Sequence, residues 1–414
     1  MYPGYNSLSN NLMYSGPGSN HGYSSSAPMP GYNGVGVGGY PMAPPPGYNP
    51  PPPYNQPPPS YNSPYPPPPP PPNYNNPPPL YPPEPVYGHG PYGTNPPIGQ
   101  PYKMQTGYNQ GPEKDCEILH YAMKGLGTDE NAIINLVINR NSQQRAEIRR
   151  KYIACYGKDL ISRLRDELSG NFQDTVIGLF MTPPEYDAYC LYKAMKGAGT
   201  NDGVLIEILG TRNNTEIQMI KSVFEKTYGK SLEKWVKSET SFNFKKCLVS
   251  LLQANRSMNT VPNPSMCQND AQILYKAGEG RLGTDEETFI KIFTQRSAAE
   301  MEMICKCYQQ LRGKSLHHAI DKEFSGDIQK LLHTILDGLL DPSGYFAKRI
   351  REAVQGIGTN DSKLVRVIVS RCEVDMPNIK MAYRQLYGRD IVADIRSDTS
   401  GDYKKILTYL LTRV

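Results

Sequence analysis

Four Gly-Thr pairs stand in phase along this chain: Gly127-Thr128, Gly199-Thr200, Gly283-Thr284 and Gly358-Thr359. Counted from each glycine, an arginine stands 13 residues on (Arg140, Arg212, Arg296 and Arg371) and a second glycine 30 on (Gly157, Gly229, Gly313 and Gly388). A carboxylate stands 40 on, at Glu167, Glu239, Glu323 and Asp398. Agreement at so many offsets makes the chain a tandem array with intervals of 72, 84 and 75 residues. Units of such an array stack and cover one another's apolar faces, so no copy can be interpreted alone. The long second interval puts a linker near 256–266, where Pro262 and Pro264 fall.

Within each unit the pattern is helical. The threonine can cap a helix, and the acidic residues after it (Asp129 and Glu130, Asp202, Asp285 and Glu286, Asp361) suit the positive end of a helix dipole. Apolar runs follow, such as AIINLVI at 132–138 and KLVRVIV at 363–369, hydrophobic nearly all round as in a helix buried between neighbours. The glycine at offset 30 ends a second amphipathic helix. No segment combines strand-length alternation with hairpin turns, so the expected fold is all-α, with units of about 70 residues and four or five helices.

Composition divides the chain. Residues 1–112 hold 34 of the 40 prolines and 16 of the 30 tyrosines, with only Glu84 and Lys103 charged. Proline removes backbone donors and few aliphatic side chains are present to bury, so this tail is expected to be disordered, with polyproline II character. It can act as a spacer, or its tyrosines can dock in aromatic grooves or bind one another. The net charge of +5 favours an anionic partner such as a phospholipid surface, and no stripe of basic residues suggests specific nucleic-acid binding. The eight cysteines are scattered and the start, MYPGYNSLSN, has no basic and apolar leader, which points to reduced thiols in a cytosolic setting. Cys305 and Cys307 lie near His317 and His318, yet an i, i+2 pair on a helix points to different sides, which disfavours zinc. No apolar run reaches the ~20 residues of a membrane span, so any membrane role is peripheral.

The distance from loop to carboxylate requires a tertiary meeting. Paired glycines let successive carbonyl oxygens turn outward at one spot. Carbonyls plus a single carboxylate form the oxygen-only set that calcium selects, leaving positive charge and open positions for a lipid phosphate. The arginine at offset 13 sits in an apolar run and needs a partner, either the loop carbonyls or the carboxylate, which makes it architecture rather than ligand.

These motifs, MKGLGT with DELSG, MKGAGT with SETSF, AGEGRLGT with KEFSG and VQGIGT with SDTSG, resemble the annexin family throughout residues 113–414, and the front resembles its long-tailed, Pro/Gly/Tyr-rich members. The resemblance implies four repeats of about five helices forming a curved disc, bounded at 113–182, 183–256, 257–341 (linker included) and 342–414, after a tail at 1–112. It implies calcium-dependent binding of acidic phospholipid. The implied calcium ligands are backbone oxygens of Met123, Gly125 and Gly127 with Glu167, and of Met195, Gly197 and Gly199 with Glu239. In the third repeat they are Gly278, Arg281 and Gly283 with Glu323, in a loop one residue longer, and in the fourth Val354, Gly356 and Gly358 with Asp398. Phe242 replaces a glycine found in the other copies, which makes the second site the odd one out. Leu126, Ala198, Leu282 and Ile357 would touch the membrane from the loop tips. The tail is implied to recruit a penta-EF-hand calcium-binding protein through Tyr-Pro segments, nearest matched at 64–66 and 81–83, or to associate with itself and support membrane tethering and trafficking.

Two other classes compete. A lipid or nucleotide enzyme lacks a nucleophile and base with an orienting partner, since the six histidines show no repeat phase, and GAGTNDG at 197–203 is a poor dinucleotide motif. No catalytic residue and no organic cofactor is therefore expected. A calcium-independent helical-repeat scaffold for proteins is the alternative reading. The expected location is cytoplasmic, peripheral on membranes when calcium rises, with a nuclear pool also allowed.

Overall fold

The computed structural model describes residues 111–356 and 358–413, so what is expected of the tail and of Ile357 lies outside the described residues. All elements among the described residues are helices, five to a repeat, with no strand. The first repeat holds α1 (Pro112–Ala122), α2 (Glu130–Ile138), α3 (Ser142–Tyr156), α4 (Leu160–Glu167) and α5 (Gly170–Leu179). The second holds α6 (Pro183–Met195), α7 (Asp202–Thr211), α8 (Asn214–Tyr228), α9 (Leu232–Glu239) and α10 (Phe242–Leu252). The third holds α11 (Pro264–Ala277), α12 (Glu286–Gln295), α13 (Ala298–Arg312), α14 (Leu316–Glu323) and α15 (Gly326–Leu340). The fourth holds α16 (Pro342–Val354), α17 (Asp361–Arg371), α18 (Met376–Tyr387), α19 (Ile391–Asp398) and α20 (Gly401–Thr412). No helix among the described residues is long and apolar enough to cross a membrane.

Local chemistry sets the helix ends. Each repeat opens with proline in the first turn, where the missing N–H costs nothing. The glycines at offset 30 close the third helix of every repeat in the left-handed region, with φ of 64°, 66°, 66° and 64°. The threonines do not cap the helices that follow them. The next residue does: Asp129, Asp285 and Asn360 accept from the N–H groups of Ala132, Thr288 and Lys363. Asn201 holds the same position without a side-chain bond. The linker after α10 is three residues shorter at its far end than its sequence suggests, because Pro264 starts α11. It is pinned by Arg256, whose guanidinium donates to Phe293 O (2.8 Å) and Arg296 O (2.7 Å).

Two apolar cores result, and they do not follow chain order. Repeats 1 and 4 share one core and repeats 2 and 3 the other. In the second, α15 crosses α7 where a Cβ on Gly210 would come within 2.8 Å of Thr334 Cγ2, so only glycine allows that approach. The two cores are joined by a buried ion pair across repeats 2 and 4. Arg366 donates from Nε to Glu207 Oε1 (2.8 Å) and from Nη2 to Oε2 (2.9 Å), with Arg349 Nε at 3.7 Å. Burial alone would raise the Glu207 carboxyl, but Arg366, then Arg349 and Arg212, reverse the effect and hold it below the usual carboxylate range.

Breaking this pair from one side leaves a charge stranded in the core. Glu207→Ala should therefore lose about 3–5 kcal/mol in equilibrium denaturation, whereas Glu207→Leu with Arg366→Met should lose clearly less. Because the folded-state pKa of Glu207 is depressed, its contribution is complete above the unfolded-state value and is lost as pH falls through the folded one. The stability gap between the wild-type chain and Glu207→Gln should thus be full at neutral pH and close on acidification below the ordinary carboxylate range, as read from urea midpoints at stepped pH.

Candidate metal centre at the repeat loops

Each loop joins the first and second helices of its repeat, and both ends of that helix pair are clamped. Near the loop, the N–H groups of Asp129, Asn201, Asp285 and Asn360 donate to Ala122 O (2.9 Å), Ala194 O (2.9 Å), Ala277 O (2.7 Å) and Ala353 O (2.8 Å). At the far end stands the arginine of offset 13. It bonds neither the loop carbonyls nor the distant carboxylate, as its position suggested, but an aspartate of the first helix. Arg140 grips Asp115 through Nε and Nη2 at 2.7 Å each, Arg212 grips Asp187 at 2.7 and 2.9 Å, and Arg296 grips Asp270 at 2.6 and 3.3 Å. A planar guanidinium matches a carboxylate in this two-point manner, and Asp115, Asp187 and Asp270 are all buried. In the fourth repeat Phe346 takes the aspartate's place, so Arg371 lies 4.5 Å over that ring and pairs with Asp375 instead.

Between the clamps the glycines take conformations that other residues resist. Gly125 and Gly127 have φ of 111° and 87°, Gly197 and Gly199 113° and 86°, Gly356 and Gly358 122° and 84°, and Gly283 75°. Gly278 differs, at φ −124°, yet a Cβ there would lie 3.0 Å from Glu323 Cγ, so the glutamate folds over it. Among the described residues, the carbonyls of Gly125, Gly127, Gly197, Gly199 and Gly283 accept no hydrogen bond from the protein. The starts of the loops are anchored by buried Met123, Met195 and Val354, while Arg281 is exposed.

The carboxylate at offset 40 does reach its loop, and the threonine is the link. Each of these acids is the last residue of its repeat's fourth helix. Thr128 Oγ1 lies 3.5 Å from Glu167 Oε2, Thr200 Oγ1 3.3 Å from Glu239 Oε2, and Thr284 Oγ1 2.5 Å from Glu323 Oε2. Asp398 is one methylene shorter. Thr359 there meets only its backbone carbonyl, at 3.1 Å, and the carboxylate accepts from Ser397 Oγ instead.

One further residue was not foreseen. Arg163 donates from Nη2 to Met123 O (3.0 Å) and to Glu167 Oε1 (2.7 Å), placing a cation between two of the implied ligands of the first site. Trp235, Ala319 and Asp394 hold the same helical position in the other repeats, so only the first repeat has an arginine there to bond its helix-ending acid. That difference was visible in the sequence once α4, α9, α14 and α19 were aligned. Leu126 and Leu282 project from their loops with full exposure, at 108% and 101%, and Ala198 is exposed as well.

The donor set fits a hard cation. Among the described residues no three His, Cys, Asp or Glu side chains converge, so a metal held here would rest largely on carbonyl oxygens, with fewer than three such side chains beside them. The annexin sequence profile matches residues 114–179, 186–251, 269–335 and 345–410, one segment per repeat. Human annexin A7 is 46% identical over 294 residues, 71% of this chain and 60% of that protein. Rabbit (Oryctolagus cuniculus) annexin A11 is 42% identical over 296 residues, 72% of this chain and 59% of that protein. The match thus spans about three fifths of the length of those relatives. The solved structure of calcium-bound annexin (Sm)1 aligns with a TM-score of 0.65 at 32% identity, covering 73% of this chain and 90% of that one. With its fourfold profile match and its clamped glycine loops, this chain belongs to the annexin family.

Proposed function

We propose that the chain docks reversibly on acidic phospholipid membranes in response to calcium, through the four glycine loops and their paired carboxylates. The observation that carries this reading is that, in the first three repeats, glycine loops with carbonyls that accept no hydrogen bond from the described residues lie beside a glutamate that ends the fourth helix, with the same glycine pair and a helix-ending aspartate in the fourth. The residues that would hold calcium are the carbonyls of Met123, Gly125 and Gly127 with Glu167; of Met195, Gly197 and Gly199 with Glu239; of Gly278, Arg281 and Gly283 with Glu323; and of Val354, Gly356 and Gly358 with Asp398. Calcium, when bound, would supply the positive charge that draws in a lipid phosphate. The protein's part is to hold the carbonyls outward, to lend one negative charge per loop, and to bring Leu126, Ala198, Leu282 and Ile357 to the interface. Full burial of a leucine-sized side chain contributes at most about 1.5–3 kcal/mol, so the leucines anchor better than Ala198.

Low-charge sites of this kind bind calcium weakly, toward about 10⁻⁴ to 10⁻³ M. Four of them in one molecule gain from effective concentration once the first has engaged, by about 10² to 10⁴. Calcium affinity then depends on lipid, and by linkage lipid affinity depends on calcium. We take the repeats to run 113–182, 183–256, 257–341 and 342–414, and the chain to act as a binder rather than a catalyst. Residues 1–112 would recruit partners, a penta-EF-hand protein or further copies of the tail, which their alternating prolines and tyrosines support.

Vesicle pelleting with phosphatidylserine tests the reading. Wild type should pellet with calcium and stay soluble with chelator, and Glu167→Gln, Glu239→Gln, Glu323→Gln and Asp398→Asn combined should abolish the calcium response. Pelleting that ignores chelator would favour a calcium-independent protein scaffold. Arg163 competes for the first site through a half-buried ion pair that solvent still reaches, and pairs screened by solvent contribute about 0.2–1 kcal/mol. Arg163→Met should therefore strengthen calcium binding at that site by about 1.5- to 5-fold in isothermal titration with vesicles present.

A further inference from the structure

Phe242 occupies a position that the other three repeats give to glycine. Counted from the origin glycines, offset 43 holds Gly170, Phe242, Gly326 and Gly401. All four adopt the left-handed conformation, with φ of 61°, 49°, 66° and 59°. A bulky residue is disfavoured there, and such strain persists where surrounding structure enforces it, commonly at functional sites. The phenylalanine gains no packing in return, since its ring is 87% exposed. Nor is it filling the core. The packing position two residues on is already taken by Phe244, which lies against the core of repeats 2 and 3 as Phe172 and Tyr403 do in theirs. Phe242 is therefore an aromatic side chain held outward at a backbone cost.

Its place in the fold suggests why. It follows Glu239 by three residues through an extended Thr240-Ser241 segment, and the Glu239 carboxylate meets Thr200 beside the second loop tip. That tip carries Ala198, where the first and third repeats present fully exposed Leu126 and Leu282. Lys245 stands three residues on, a partly exposed charge suited to an anionic surface, while Lys246 pairs with Glu287. We propose that Phe242 is the membrane-inserting residue of the second repeat, entering the headgroup–acyl boundary of an acidic phospholipid bilayer in place of the leucine that its loop lacks. An aromatic ring suits that zone, whereas Ala198 offers it little apolar area.

The inference rests on the docking reading above, and the experiment separates the two. Trp235 is the single tryptophan, so Trp235→Phe provides a silent background in the full chain. On that background Phe242→Trp and Leu126→Trp are each mixed with phosphatidylserine vesicles containing brominated lipid. Both tryptophans should be quenched on calcium addition and recover with chelator. Quenching at position 126 without quenching at 242 would overturn the inference and leave the docking reading intact. Absence of both quenching and pelleting would sink the docking reading and the inference with it. As a second measure, Phe242→Gly should melt at a higher temperature than wild type, because glycine suits the left-handed position, yet bind vesicles about tenfold more weakly at fixed calcium. A variant with wild-type vesicle affinity would count against a membrane role for the ring.

Discussion

The buried arginine–aspartate clamp is what the loops depend on. A glycine-paired loop is flexible by composition, and left alone it would sample many conformations in which its carbonyls diverge. Arg140 on Asp115, Arg212 on Asp187 and Arg296 on Asp270 fix the helix pair at one end, and the bonds onto Ala122, Ala194 and Ala277 fix it at the other. The loop then spans a set gap, and its glycines take the few conformations that fit. Charge is buried to achieve this, which adds little net stability but specifies one arrangement. The fourth repeat reaches a similar geometry differently, with Arg371 stacked on Phe346 and paired to its own helix end, so the requirement is for a satisfied guanidinium rather than for one particular partner.

How far the sequence discloses this varies by residue. Repeat phase, helical class and the stop at Gly157 and its counterparts were readable, because each depends on spacing that recurs four times, and so was the approach of loop and distant carboxylate in the first three repeats, though not in the fourth. The role of the threonines was misread. Next to an acidic residue, threonine looks like a cap, and only the fold reveals that Glu167, Glu239 and Glu323 come close enough to take its hydroxyl while Asp129 takes over capping. The partner of the offset-13 arginine was missed for a related reason. Asp115, Asp187 and Asp270 lie upstream of the origin, and the extra loop residue in the third repeat shifts the last by one position, hiding a match that phase alone would have found. The grouping of repeats 1 with 4 and 2 with 3 could not be read at all, since nothing in a linear repeat states which neighbour covers which face. Glu207 and Arg366 carried a faint signal: both stand at offset 8, with opposite charge, in the two repeats that meet.

Repetition also makes the departures informative. Where four units share a frame, a residue that breaks the pattern is not explained by the frame. Arg163 has no structural duty that Trp235 or Ala319 must also meet, and it lies on the very oxygens that its loop presents. Asp398 keeps the charge at offset 40 but not the reach. Phe242 accepts a glycine's backbone without glycine's freedom. Each change affects a different component of a loop: its counter-charge, its carboxylate geometry, or its apolar tip.

As calcium sites, four loops altered in different components would not respond alike. A cation at the first loop must displace a guanidinium, whereas the third loop already has its glutamate bonded to Thr284 and folded over Gly278. As a calcium site the third loop would have its acid already seated, although its Gly278 carbonyl accepts from the Arg281 N–H at 3.0 Å. On the proposed reading, once one loop was anchored the joined cores would keep the others close to the bilayer, and weaker sites would fill at an effective concentration they could not reach in solution. The buried Glu207–Arg366 bridge belongs to this mechanism as much as to stability. It joins repeats 2 and 4 across the two cores, and a molecule whose halves moved independently would lose the entropic advantage that the proposed docking through four weak sites requires.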